Sequence, residues 1–221
     1  MDTTRLQLFS DAVLAIVLTI MVLELKVPHG TDAAVLGPVL PVFLSYILSF
    51  VYVGIYWTNH HHLFQVCGRV TGAVLWANLH LLFWLSLFPF VTGWMGQNHF
   101  ARVPTAFYGG VLLAAALAYL ILQQAIILAQ GPGSALKTAI GPDWKGKLSP
   151  GLYLAGIGAT FLRPWLGQLF FVAGAILWVV PDRRLERWAS PAGPGSPERD
   201  SAVSGLQNPV SQRHDHQSAG D

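Results

Sequence analysis

The sequence predicts an all-α, polytopic membrane protein of about six transmembrane helices. Three observations carry this. Hydrophobic residues make up 53% of the 221-residue chain. Charged residues make up only 11%, where soluble domains carry about 25%. The apolar residues also fall into six long runs, several near the roughly 20 residues a helix needs to cross a bilayer.

The runs lie at about 6–27, 36–59, 70–95, 104–129, 149–163 and 165–181. The first carries Asp11 and Glu24, opens without a basic cluster and is followed by no small-residue cleavage site, so a retained helix is expected rather than a signal peptide. The last two runs share one apolar block split by Arg163 and Pro164. Proline disfavours the α conformation in the residue before it, so two short helices with a turn are expected there. One span with a re-entrant piece is the alternative.

Charge placement gives an orientation. With the N-terminus in the cytoplasm, Arg5, Arg69, Lys137, Lys145, Lys147, Arg183, Arg184 and Arg187 lie inside, and Lys26, Arg102 and Arg163 outside. That asymmetry follows the positive-inside rule and places both termini in the cytoplasm of a multi-pass cell-membrane protein. Residues 1–188 are expected to form the membrane domain. From 189 to 221 the composition turns to Pro, Gly, Ser and scattered charge, which predicts a disordered cytoplasmic tail. His214 and His216 of that tail are read as solvated rather than metal-binding. The net charge of +2 points to no nucleic-acid partner. The single cysteine, Cys67, has no internal disulfide partner. No phosphate loop, nucleophile motif or zinc-ligand spacing occurs, so an enzyme, a metal site and a resident cofactor are not expected.

The first helix holds the informative chemistry. An ionisable residue at the centre of a spanning helix costs about 2.5–3.5 kcal/mol. Asp11 sits about one turn inside, pays less than that, and still requires a partner. Arg5 and the His or Trp side chains of other helices are the candidates. At about 100° per residue, Ile16, Ile20 and Leu23 share one stripe, with Thr19 beside it, and Asp11 points away from it. The other faces are apolar too, so periodicity leaves pore lining and ordinary packing both open.

His60, His61 and His62 are consecutive, so their side chains fan out around a helix end. Interfacial hydrogen bonding is expected of them, with metal or haem binding and pH sensing as alternatives. His80, Asn59 and Asn78 are polar residues within spans and are expected to face partners in the bundle. Pairing of His80 with Asp11 or Ser10 is the specific expectation. Trp57, Trp94, Trp144 and Trp188 lie near span ends, as an aromatic belt does.

The run Arg5, Phe9, Ser10, Asp11, continuing to Thr19 and Leu23-Glu24, resembles the signature of the transmembrane protein 175 family of potassium channels. Trp57-Thr58-Asn59-His60-His61 and the stretch from Asn78 and His80 to Pro89-Phe90 resemble that family's second and third helices. The resemblance covers roughly the first 95 residues. It implies a single-unit bacterial form that assembles as a homotetramer around a central pore, with potassium ions as the permeant species. It implies that the first helix lines the pore, that Ile16 forms the main constriction with Ile20 and Leu23 as further rings, and that Thr19 contributes to selectivity. It also implies that Arg5, Phe9, Ser10 and Asp11 tie the first helix to its neighbours, a network to which Asn78 and His80 would suit. The carbonyl-loop filter of ordinary potassium channels is absent from the sequence. A proton-conducting channel and a secondary transporter are the alternatives.

Overall fold

The computed structural model describes residues 2–140 and 143–179, and every regular element among them is helical. The expected tail 189–221, with His214 and His216, the arginines at 183, 184 and 187, and Trp188 lie outside the described residues.

Helix α1 runs from Thr3 to Leu23. Asp2 caps it, its carboxylate accepting from the Thr4 amide at 3.2 Å and satisfying one of the amides a helix start leaves open. The chain leaves the helix at Glu24, ahead of Pro28. A 3-10 segment, Ala33–Val39, leads into α2, Leu40–Gln65. Pro41 stands in the first turn of α2, where no amide partner is lost.

The expected third span divides into α3, Gly72–Ser86, and α4, Phe88–Gln97. Pro89 explains the break. It lacks the amide that would continue the ladder and its ring crowds the preceding turn. Leu87 forms the joint, donating to the Trp84 carbonyl at 3.3 Å. Helix α5 is unbroken from Arg102 to Gln130 and ends on Gly131, whose φ of 78° suits a residue without a side chain. A short α6, Ala135–Ile140, precedes α7, Trp144–Leu162, and α8, Pro164–Val179. Arg163 between them is extended (φ −149°, ψ 127°), as the following proline requires.

By length and composition, Thr3–Leu23, Ala33–Gln65, Gly72–Gln97 and Arg102–Gln130 can each cross a membrane. Helix α8 is apolar but shorter. At 1.5 Å per residue its 16 residues reach about 24 Å, less than the roughly 30 Å hydrocarbon core. Helices α7 and α8 pack at closest range where side chains vanish. A Cβ on Gly156 would meet Phe171 Cε1 at 2.7 Å, and one on Gly167 would collide with Thr160. Small residues of this kind drive helix association in lipid, where apolar burial alone gives little preference.

Helix α1 packs against α2, α3 and α4. It buries Leu6, Ser10, Leu14, Val17 and Met21, spaced four, four, three and four. That spacing defines one stripe of a 3.6-residue helix. Gln7, Asp11, Val13 and Leu18 flank that stripe and are partly covered, while the face holding Ile16, Ile20 and Leu23 is left exposed among the described residues.

Candidate functional site: the outward face of the first helix

The uncovered face of α1 holds Ile16 (56% exposed), Thr19, Ile20 (43%) and Leu23 (81%). At about 100° per residue this face lies roughly 120° around the helix from the buried stripe. Phe9, half exposed, shares it. Between Phe9 and Leu23 the face carries no ionisable side chain. Its one polar group is Thr19, whose Oγ1 donates to the Ile16 carbonyl at 2.8 Å. With its proton committed to the backbone, the hydroxyl oxygen offers only lone pairs outward, and these can accept from water or approach a cation.

The opposite side of α1 is held by a directed hydrogen-bond chain. Asn78 Nδ2 of α3 donates to Ser10 Oγ at 2.9 Å, and Ser10 Oγ donates on to the Leu6 carbonyl at 3.0 Å. Asn78 Oδ1 lies 2.8 Å from His60 Nε2 of α2. Since Asn78 Oδ1 can only accept, His60 carries its proton on Nε2. Ser10, Asn78 and His60 are all buried. Three helices therefore meet through three side chains. His60 Nδ1 is buried without a hydrogen-bond partner among the described residues, as are His62 Nδ1 and Thr105 Oγ1.

Two further links join α1 to α2. Trp57 Nε1 donates to Asp11 Oδ1 at 3.1 Å, and the Gln7 amide lies 2.7 Å from His61 Nδ1. Asp11 is thus met by a tryptophan, one of the two partner classes its position called for. Arg5, the other candidate, is exposed and makes no side-chain hydrogen bond or ion pair among the described residues.

The structure corrects the expectation for His80. Its Nε2 accepts from Trp84 Nε1 at 3.0 Å on the same helix, and the ring is exposed. Ser10 and Asn78 lie on the buried side of α1 and α3, and His80 follows Asn78 by two residues, about 200° around the helix. The buried histidine is His60 instead. The sequence does carry a signal for it. Ser45, Ser49, Tyr52, Tyr56 and His60, all buried, recur every three or four residues along α2 and mark its inward stripe. Asn59 binds the Ile55 carbonyl of its own helix at 2.8 Å rather than another helix, although its backbone carbonyl accepts from Tyr119 at 3.4 Å.

A second polar seam, unforeseen in the sequence, joins α2 to α4 and α5. Thr92 Oγ1 donates to Ser49 Oγ at 2.6 Å, and Ser49 Oγ lies 3.0 Å from Tyr108 Oη. Ser45 Oγ reaches the Thr92 carbonyl at 3.2 Å. Among the described residues no cluster of three or more His, Cys, Asp or Glu side chains is placed to hold a metal ion.

A family model described as the endosomal/lysosomal potassium channel TMEM175 matches residues 5–89. A potassium channel of Chryseobacterium sp. (strain P1-3) is 53% identical over 187 residues, spanning 85% of this chain and 97% of that one. A potassium channel of Chamaesiphon minutus is 31% identical over 188 residues, spanning 78% and 92%. Among solved structures, the crystal structure of a lysosomal potassium-selective channel TMEM175 homolog from Chamaesiphon minutus superposes with a TM-score of 0.66 at 27% identity. It covers 82% of this chain and 97% of that one. The family and these relatives are ion channels rather than enzymes.

Proposed function

We propose, since this chain belongs to the TMEM175 family of potassium channels, that it is a potassium-selective channel whose pore is lined by α1 of each subunit. The observation that carries the pore assignment is the division of α1 into two faces. One stripe is buried in the bundle and pinned by Ser10, while Ile16, Ile20 and Leu23 stand uncovered. Four copies related by a central axis place those side chains as successive apolar rings, Ile16 the narrowest, with the Thr19 oxygens between them.

Such rings gate by dewetting, because an ion shedding water there finds no polar group to replace it. Potassium holds its water less tightly than sodium, so a constriction that strips part of the shell favours potassium. The outward lone pairs of Thr19 return part of what is lost. The face offers no carboxylate or imidazole between Phe9 and Leu23 to relay protons, which favours the potassium reading over the proton-conducting one. Asp11 and Ser10 act on this reading by fixing α1 against α2 and α3, with both termini in the cytoplasm and the cell membrane as the site of action.

The test is flux from liposomes containing the purified full chain, with potassium, sodium and proton gradients imposed separately. Potassium efflux well above sodium efflux is expected. Equal fluxes, or flux driven only by the proton gradient, would overturn the assignment.

A further inference from the structure

Away from the uncovered face of α1, a groove of about 760 Å³ opens between the start of α3 and α5. Its floor is the run Leu117, Ile121, Gln124 and Leu128 of α5, and Thr71, which caps α3, and Ala73 form its wall. Its position along the membrane normal is informative. Helix α5 has 29 residues, a length of about 43 Å. That matches the 40–45 Å of a bilayer with its headgroups. The middle of α5 is Ala116, so the groove begins at mid-membrane and ends near Ala129. It is about 18 Å long, the depth of a single leaflet.

The polar residues fall at the matching depths. Gln124 is about 12 Å from the middle of α5, close to the edge of the hydrocarbon, where glycerol esters lie. It is exposed and makes no side-chain hydrogen bond among the described residues. An amide facing acyl chains without a partner is costly, and an ester carbonyl satisfies it. At the rim, Gln130 Nε2 donates to the Val66 carbonyl at 2.6 Å and fastens the 66–71 loop to the end of α5. That loop carries Arg69, exposed and unpaired among the described residues, two positions before Thr71.

We propose that the α3/α5 groove is a binding site for one anionic phospholipid in the leaflet that holds the C-terminal end of α5. One acyl chain lies along Leu117, Ile121 and Leu128, Gln124 donates to an ester carbonyl, and Arg69 meets the phosphate. Cationic side chains at the edge of a spanning bundle select anionic headgroups in this way. The site depends on the chain crossing the bilayer and not on which ion it conducts, so it stands or falls apart from the flux result.

The experiment is native mass spectrometry of the full chain, purified in nanodiscs of equimolar phosphatidylglycerol and phosphatidylcholine with identical acyl chains. The wild type is expected to retain phosphatidylglycerol over phosphatidylcholine by about fivefold per subunit, the preference one near-surface cation confers. Arg69→Gln, a loop substitution, is expected to bring the ratio close to one. Ala125→Trp, which fills the groove, is expected to lower retention of both lipids. Equal retention of the two lipids by the wild type would mean bulk annular lipid and would overturn the proposal. So would an unchanged ratio in Arg69→Gln, or disulfide cross-linking of neighbouring subunits through Ala125→Cys, which would give the groove to a second copy of the chain.

Discussion

The indole of Trp57 donates its Nε1 proton to Asp11 Oδ1 at 3.1 Å, so the carboxylate of α1 is held by an aromatic donor on α2. A charged acceptor gains more from such a bond than a neutral one, about 1.5–3 kcal/mol when well buried. This pair is partly exposed, so the lower end is the reasonable scale. Asp11→Ala is expected to reduce the assembled oligomer recovered by size-exclusion chromatography, and Asp11→Asn, which keeps an acceptor oxygen, to lose less. Fully assembled Asp11→Ala with altered ion selectivity alone would contradict the bracing role.

Ile16 stands on the uncovered face of α1, 56% exposed in the single chain. In the proposed pore, Ile16→Asn replaces a branched alkyl group of the constriction with an amide. Sodium permeability relative to potassium is expected to rise several-fold, measured as a shift in reversal potential across a planar bilayer. Wild-type selectivity and conductance in this variant would remove Ile16 from the constriction.

Asn78 is the middle of the three-helix chain, donating to Ser10 and accepting from His60. Asn78→Leu leaves the His60 Nε2 proton buried without an acceptor, on a ring whose Nδ1 already has no partner. Stranding one such group costs about 1–3 kcal/mol. The thermal midpoint in detergent is expected to drop, and the double variant Asn78→Leu with His60→Phe to regain part of the loss. No drop in the single variant would show that the bond carries no stability.

Gly96 of α4 faces the backbone of α2. A Cβ there would lie 2.7 Å from Val42 Cα and 3.3 Å from the Pro41 carbonyl. Backbone yields less readily than a side-chain tip, so Gly96→Ala forces α2 and α4 apart and is expected to cost about 1–3 kcal/mol. Gly110, with open space around it, supplies the control. Gly110→Ala is expected to leave the melting temperature unchanged or slightly raised.

Cys67 lies between α2 and α3, buried, with its Sγ donating toward the Arg69 carbonyl at 3.6 Å. Burial pushes its thiol above the ordinary range. A raised value means less thiolate at any given pH near neutrality, and the thiolate is the reactive form. A charged maleimide at pH 7.5 is expected to label the folded protein far more slowly than the same protein in denaturant. Equal rates would show the thiol to be accessible.

Much of the layout was written into the chain. Arg163-Pro164 placed the break between α7 and α8, because proline dictates the conformation of its predecessor. Pro89 acted differently, through its missing amide and the crowding of the preceding turn, and the division of the third span into α3 and α4 was not anticipated, since the apolar run continues across it. The division of roles among polar residues was less legible. His60 and His80 sit alike in apolar helices, and only packing tells which one faces Asn78. The seam of Ser49, Thr92 and Tyr108 joins residues 43 and 59 positions apart, a distance no local pattern spans.

Composition and apolar run length by themselves determined that lipid is the solvent and that the spans are helical, because a backbone in hydrocarbon must satisfy its own hydrogen bonds and a run of about 20 apolar residues does so as a helix. They could not decide which face of α1 turns inward, since nearly all of its faces are apolar. Tertiary structure decided that. The chain from His60 through Asn78 to Ser10, with Trp57 on Asp11, selects one rotational setting of α1, and that setting leaves Ile16, Ile20 and Leu23 exposed.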